Sequence, residues 1–262
     1  MINGNTRLFA IVADPIAQVR TPQVLNAYFE ARALDAVLVP VHVAPEGLAA
    51  VVEGFRRTRN LDGFIVTVPH KTAVAALCDA LGPAAQATGS VNTVRRDPDG
   101  RLVGDMFDGA GFVQGLRTQG HDPAGRRCLL LGAGGAAGAI AFSLAQAGAA
   151  QVVVANRTRA KADAVVQRVR QAFPQADIQA GDADPQGYDV VVNATSLGMK
   201  PDDPLPLAID RLQPHTLVAE IIMKPELTPL LAQAQAHGCP VHFGRHMLDE
   251  QVRLMARFML RD

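Results

Sequence analysis

Residues 131–138 read LGAGGAAG, set between the apolar runs CLL and AIAFSLA. Glycines in such a place could belong to a membrane span, to a helix packed through small residues, or to a loop that cradles a phosphate. The neighbouring text separates these readings. LLL-GAGGAA-GAIAFSLAQAG is strand, glycine turn and helix, and QVVVAN (151–156) is a further strand. That β-α-β setting is the one in which a glycine loop receives a dinucleotide. Gly132 permits the tight turn out of the strand, and Gly134 lets the backbone approach a pyrophosphate. The helix N-terminus offers free N–H groups and a partial positive charge. Ala137 and Gly138 keep the helix close to the sheet. The competing reading is a glycine-rich packing loop that binds nothing.

Two other residues could move a proton. Lys71 follows a strand and Pro69, and a lysine at a cleft can act as acid or base. Asp108 ends a hairpin and opens a helix at an apparent domain junction, where substrate sites commonly lie. Acting on one hydroxyl, the lysine would take the proton as the carbon loses hydride, and the aspartate would orient both. On the residues alone the plainer readings stand first: a surface lysine starting a helix, and an N-cap aspartate.

The end of the strand after the glycine loop bears on which nucleotide binds. An NAD site usually places a carboxylate there for the ribose hydroxyls. This chain has Asn156-Arg157-Thr158 and then Lys161. Arg157 and Lys161 would attract a 2′-phosphate and Thr158 can donate to it, so the reading is NADP, with NAD as the alternative. An ordinary solvated helix start capped by Thr158 competes with it.

The elements that must position these residues follow from pattern. LFAIVA (8–13), AVLVPVHV (36–43) and GFIVTV (63–68) read as strands, with helices from Thr21-Pro22 and over 45–57 between them. Thr21 suits an N-cap and Pro22 the first helical position. Such alternation predicts a largely parallel sheet. SVNTVRR and RLVGD flank DPDG and read as a β-hairpin over 90–105. A helix over 108–119 follows, and then a second α/β run. Its strands are CLLL (128–131), QVVVA (151–155), a weak one near ADIQA (176–180), DVVVNA (189–194) and TLVAEI (216–221). An amphipathic helix over 246–260 closes the chain.

Bulk properties narrow the class. The 262 residues are 48% hydrophobic, enough for a large core or two small ones. The 25 basic and 25 acidic residues balance, and Trp is absent, which disfavours nucleic acid and an acidic membrane as partners. Residues 128–145 carry no charge, but the glycine cluster would break a spanning helix early. The start, MINGNTRLFAIVADP, lacks the basic opening of a signal peptide. Three scattered cysteines form no metal-binding pattern and fit a reduced, cytoplasmic protein. Oligomeric state stays open, since Ala- and Leu-rich helix faces fit a homodimer and a core equally.

VTVPHK (66–71), SVNT (90–93), GDMFDG (104–109), LGAGGAA (131–137), NRT (156–158) and NATSLGM (193–199) resemble, in order and spacing, the motifs of the shikimate dehydrogenase family. The resemblance runs from ADPIAQVRTP near the start to MLDEQ near the end. It implies an α/β fold with an N-terminal α/β substrate domain (1–107) and a Rossmann-type NAD(P)-binding domain (108–243). A C-terminal helix (244–262) would pack back on the first. It implies oxidation of a ring hydroxyl of shikimate or quinate, a cyclic hydroxy acid, with NADP or NAD. It places Lys71 and Asp108 on the catalytic positions, and Thr21, Thr67, Asn92 and Gln251 on substrate-contacting ones. Gly135, Ala136, Thr195 and Ser196 join Gly132, Gly134, Ala137, Asn156, Arg157, Thr158 and Lys161 as cofactor residues. No metal is implied.

The chain departs from the family pattern where the substrate is expected. Val19 stands for the first of two serines that bind the substrate carboxylate, and Thr21 keeps the second hydroxyl. Ile65 stands for an asparagine, Met106 and Phe107 for two polar residues, and Met223 for a tyrosine. Each change is from polar to apolar. A lost hydrogen bond to a charged group costs about 1.5–3 kcal/mol, so the pocket is expected to be poor for shikimate and to prefer a less polar hydroxy acid. Arg20 or His70 could restore a donor, and His70 reads equally as a helix-start residue with no role. Three other functions compete. One is a genuine biosynthetic shikimate dehydrogenase and one a non-catalytic NADP-binding module, which would need neither Lys71 nor Asp108. The third, a methylenetetrahydrofolate- or glutamyl-reductase-like enzyme, is disfavoured by VTVPHK and SVNT.

Overall fold

The computed structural model describes residues 2–261, which divide into two units. One runs to Phe107 and takes in the chain from Gln251 on; the other is Asp108–Glu250.

The first unit holds β1 (Arg7–Ala13), α1 (Thr21–Ala31), β2 (Ala36–His42), α2 (Leu48–Arg57) and β3 (Leu61–Val66). It continues with α3 (Lys71–Ala75), β4 (Ala80–Leu81), α4 (Pro83–Thr88), β5 (Thr93–Arg96) and β6 (Leu102–Asp105). Its six-stranded sheet has the order β2-β1-β3-β5-β6-β4. β1 pairs in parallel with β2 and β3, and its apolar run FAIVA is buried on both faces, as a central parallel strand requires. β5 and β6 form the expected hairpin and run antiparallel, β5 against β3 as well, so the sheet is mixed rather than largely parallel. The five-residue connection over 97–101, which contains DPDG, can only reverse direction, whereas a parallel return needs a crossover of a dozen residues or more.

Local boundaries differ from expectation, most visibly around α1, β3 and α2. Arg20, not Thr21, takes the N-cap of α1, because its carbonyl accepts the first helical bonds, from the N–H groups of Gln23 and Val24. β3 begins at Leu61 and ends at Val66, which leaves Thr67 and Val68 outside the strand, before Pro69. Pro45–Gly47 forms a separate 3-10 turn ahead of α2.

The second unit holds α5 (Asp108–Thr118), β7 (Arg127–Leu131), α6 (Gly135–Gln146), β8 (Gln151–Ala155), α7 (Arg159–Ala172) and β9 (Ile178–Gly181). β10 (Val190–Asn193), β11 (Leu217–Glu220), α8 (Pro229–Ala236), β12 (Val241–His242) and the first part of α9 (Gly244–Leu260), up to Glu250, complete it. The sheet order is β12-β11-β10-β7-β8-β9, and every pairing is parallel. Counted within the unit this is 3-2-1-4-5-6, the doubly wound dinucleotide-binding order, which reverses between β7 and β10. The run Ala137–Leu144 of α6 is buried, which is what a helix made mostly of small and apolar residues demands. α5 lies against it so closely that a Cβ on Gly109 would sit 1.9 Å from the Ala139 carbonyl oxygen.

α9 starts at Gly244, two residues ahead of the amphipathic pattern and at the start that the family resemblance implies. Residues to Glu250 group with the second unit, where the backbone of His246 and Met247 abuts Gly115. From Gln251 on the helix groups with the first unit, where Phe258 meets Phe107 and Arg261 donates to the Arg96 carbonyl. Among the described residues no helix is long and apolar enough to cross a membrane, and no group of three or more His, Cys, Asp or Glu could hold a metal ion.

Candidate active site

In the second unit, a cavity of about 620 Å³ opens where the strand order reverses. Leu131, Gly132, Ala133 and Gly134 line it after β7, Asn156 and Arg157 after β8, and Thr195, Ser196 and Leu197 after β10. Gly132 has φ +113°, and a Cβ there would come 2.7 Å from the Ala194 carbonyl oxygen. Only glycine lets the loops after β7 and β10 meet so closely. Gly134 caps α6, and a Cβ on Gly134 or Gly135 would meet no protein atom within 4 Å. The backbone therefore faces open space at a helix N-terminus, the arrangement that binds a pyrophosphate. The fit to a dinucleotide is good in space and backbone, and Arg157 supplies a cation.

Not every expected cofactor residue lines this cavity. Gly135 and Ala136 form the first turn of α6 just beyond it, and Ala137 is wholly buried, so its part is packing. Thr158 is the N-cap of α7, and Asn156 Nδ2 donates to its carbonyl at 2.9 Å. Lys161 is exposed and outside the lining. Arg157 is the cavity's cation, and sequence reading missed that Asp182, after β9, brings a carboxylate to the same wall.

A buried polar chain stands behind the wall after β10. The N–H and hydroxyl of Thr195 donate to Asn193 Oδ1 at 3.1 and 2.7 Å, and Leu197 N–H donates back to Thr195 Oγ1 at 3.0 Å. Asn193 Nδ2 donates to Glu220 at 2.9 Å. Thr195 thus offers the cavity a fixed hydroxyl already used in both directions. Burial pushes the Glu220 carboxyl above its usual value, and its hydrogen bonds oppose this. Glu220 was not singled out from sequence; its one signal is a charge inside the apolar run TLVAEI.

In the first unit the residues of interest gather around the C-terminal ends of β1, β2 and β3 and the hairpin. His70 is buried, and its Nε2 donates to the Val43 carbonyl at 2.7 Å. His70 therefore ties the turn before Lys71 to the end of β2 rather than idling at a helix start. Lys71, half-buried, opens α3. Thr67 N–H donates to the Val12 carbonyl, and His42 Nε2 lies 2.7 Å from Asp14 Oδ1 nearby. Asn92 is buried; its Oδ1 accepts from Phe107 N–H at 3.0 Å and from Thr93 Oγ1 at 3.1 Å. One of its roles is thus to tie SVNT to GDMFDG. Asp105 caps α4 by accepting from Ala85 N–H at 2.9 Å, and burial pushes its carboxyl upward. Asp108, the first residue of α5, is buried and belongs to the second unit.

The apolar replacements divide. Ile65 and Met106 are core residues, 3% and 2% exposed. Phe107 is half-buried, with its ring 5.2 Å from that of Phe258. Val19 is half-buried ahead of α1, where Thr21 is also half-buried and caps nothing. Met223 is 37% exposed in the second unit, and Gln251 is buried in α9.

Known proteins resemble this chain along most of its length. Residues 11–94 match the family described as shikimate dehydrogenase substrate binding domain, and residues 116–199 that described as shikimate / quinate 5-dehydrogenase. The chain is 43% identical over 258 residues to the shikimate dehydrogenase (NADP(+)) of Geobacter metallireducens, covering 95% of this chain and 90% of that one. A crystal structure of shikimate 5-dehydrogenase from Listeria monocytogenes, in complex with shikimate and NAD, is 33% identical with a TM-score of 0.92 and covers 100% and 94% of the two chains. The ligand-free 5-ketofructose reductase of a Gluconobacter strain is equally similar, at 33% identity and TM-score 0.91 over 99% and 95%.

Proposed function

Because the chain belongs to the shikimate dehydrogenase family, we propose that it is a dehydrogenase that moves hydride between NADP and the hydroxyl-bearing ring carbon of a cyclic hydroxy acid. The observation that carries the cofactor part is the cavity at the strand-order reversal, with its glycine loop and Arg157. In this reading the second unit is the cofactor domain and the first the substrate domain. Gly132, Gly134 and the N-terminus of α6 hold the pyrophosphate, and Arg157 with Asn156 holds the 2′-phosphate end. When bound, the nicotinamide ring supplies the acceptor or donor of hydride. Lys71 Nζ moves the proton of the reacting hydroxyl, and the Asp108 carboxylate orients that hydroxyl. Thr21, Thr67, Asn92 and Gln251 contact the remaining polar groups. Three unpaired cysteines, Cys78, Cys128 and Cys239, are in keeping with a reducing cytoplasm.

The substrate is further proposed to be less polar at the carboxylate end than shikimate. Val19 offers no hydrogen bond where the family uses serine, and Ile65, which stands for the family's asparagine, lies in the core. The 5-ketofructose reductase likeness supports this, since the same fold serves a different polyol ketone in that protein. A second reading, a fully efficient shikimate dehydrogenase, is favoured by the 43% identity to the Geobacter enzyme. The Val19→Ser variant separates them. If the substrate has shifted, kcat/KM for shikimate rises roughly 10–100-fold, the worth of one hydrogen bond to a charged group. Unchanged or lower kcat/KM, on a wild-type background that already turns shikimate over rapidly, sinks the shifted-substrate reading.

A further inference from the structure

Glu220 ends β11 as a carboxylate with no exposure, in a strand otherwise made of Leu217, Val218 and Ala219. Every partner it has is a donor. The N–H groups of Ile221 and Ile222 donate to Oε1 at 2.8 and 3.1 Å; Asn193 Nδ2 and Thr228 Oγ1 donate to Oε2 at 2.9 and 3.2 Å. Four donors and no acceptor fit the ionised, acceptor-only form. A glutamine here would turn its NH₂ against donors whichever way it faced. A well-packed apolar residue is often no less stable than a buried charge, so stability alone does not account for Glu220.

The anion orients the hydrogen bonds it anchors. With Nδ2 drawn to Glu220 and to the Leu197 carbonyl, Asn193 must aim Oδ1 at Thr195. The relay therefore runs from Glu220 through Asn193 to the cavity wall. On its other side Glu220 gathers the amides that begin the loop to Met223, and Thr228, the N-cap of α8. All of these residues lie in the second unit.

We propose that Glu220 is a positioning residue for the nicotinamide half of the dinucleotide, acting through Asn193 and Thr195 and through the 221–223 backbone. This rests on reading the cavity as the NADP site. In that reading the 2′-phosphate end lies at Arg157, after β8, so the other half extends across the reversal toward the ends of β10 and β11. A buried anion on that side also favours the oxidised, cationic nicotinamide over the reduced, neutral one. A strut that merely held the fold would discriminate neither between halves of the cofactor nor between its oxidation states.

The test is Glu220→Gln, titrated calorimetrically with adenosine 2′,5′-bisphosphate, NADP⁺ and NADPH. The bisphosphate should bind as in wild type, NADP⁺ should weaken about tenfold or more, and NADPH should weaken less. Equal weakening of all three ligands, or no weakening of any, overturns the proposal. If Glu220→Gln does not melt cooperatively, Thr195→Val cuts the outer link. It should weaken NADP⁺ while sparing the bisphosphate, and equal effects on both overturn the proposal. A wild-type chain that binds neither the bisphosphate nor NADP⁺ refutes the cofactor reading itself, and the proposal falls with it.

Discussion

Both units are built on six-stranded sheets, but the sheets present function differently. The second is all parallel, so its loops collect at one set of strand ends and leave a crevice where the order reverses. What that crevice offers is mostly backbone: a positive-φ glycine, a bare helix N-terminus, and walls set by Asn193 and Thr195. The first sheet turns back on itself at the β5–β6 hairpin, and what it offers is side chains. Asn92 precedes one hairpin strand and Asp105 ends the other, each bonding neighbouring backbone. An added Cβ at the crevice glycine Gly132 should therefore injure cofactor binding most, and a truncated polar side chain in the first unit should injure turnover most.

Lys71→Ala tests that division most severely. Turnover should fall about 10²–10⁴-fold while the Kd for NADP stays within twofold, by steady-state kinetics and titration. Loss of NADP binding as well would break the division. Gly132→Ala is the converse. It forces a side chain onto φ +113° and against the Ala194 carbonyl, and should destabilise the protein by about 3 kcal/mol and weaken NADP, seen in denaturant melts and titration. Arg157→Gln should weaken NADP roughly 10–100-fold and leave NAD unchanged, which equilibrium titration of both cofactors would show.

A smaller effect concerns pH. His242 is buried with neither ring nitrogen bonded, and burial, helped by His246 and His121, pushes its imidazole down to about 3. Below about 6.5 the unfolded chain binds a proton that the folded chain refuses. Stability should thus be unaffected by this group above that pH and fall toward pH 3, by up to about 1.4 kcal/mol per pH unit. His242→Leu should flatten the fall in Tm between pH 7 and pH 5. Smallest of all, Lys161→Ala should change NADP affinity less than about twofold, because its exposed charge lies outside the cavity lining and is screened.

Legibility in the sequence divides along the same line. The β7-α6-β8 run was readable because glycines, an Ala-rich helix and β-branched strands each carry a local signal, and the cavity forms from those residues. β4 was not, since two residues, Ala80 and Leu81, are too few for any period to show. Met106 and Phe107 read as pocket residues by position. Their packing, one in the core and one on Phe258, depends on a helix far along the chain, which no local pattern reports. His70 read either as a donor or as a helix-start residue with no role, because its bond to the Val43 carbonyl is a tertiary fact. Glu220 carried one faint signal, a charge in an apolar run, and a charge near a strand end reads as solvent-facing until its four donors are seen.

The most direct measurement is absorbance at the nicotinamide band, with the wild-type protein given shikimate, quinate and less polar cyclic hydroxy acids, each with NADP and with NAD. The account predicts turnover, faster with NADP than with NAD, and a higher kcat/KM for a less polar acid than for shikimate. Intact NADP binding with no turnover of any cyclic hydroxy acid by either cofactor would contradict it.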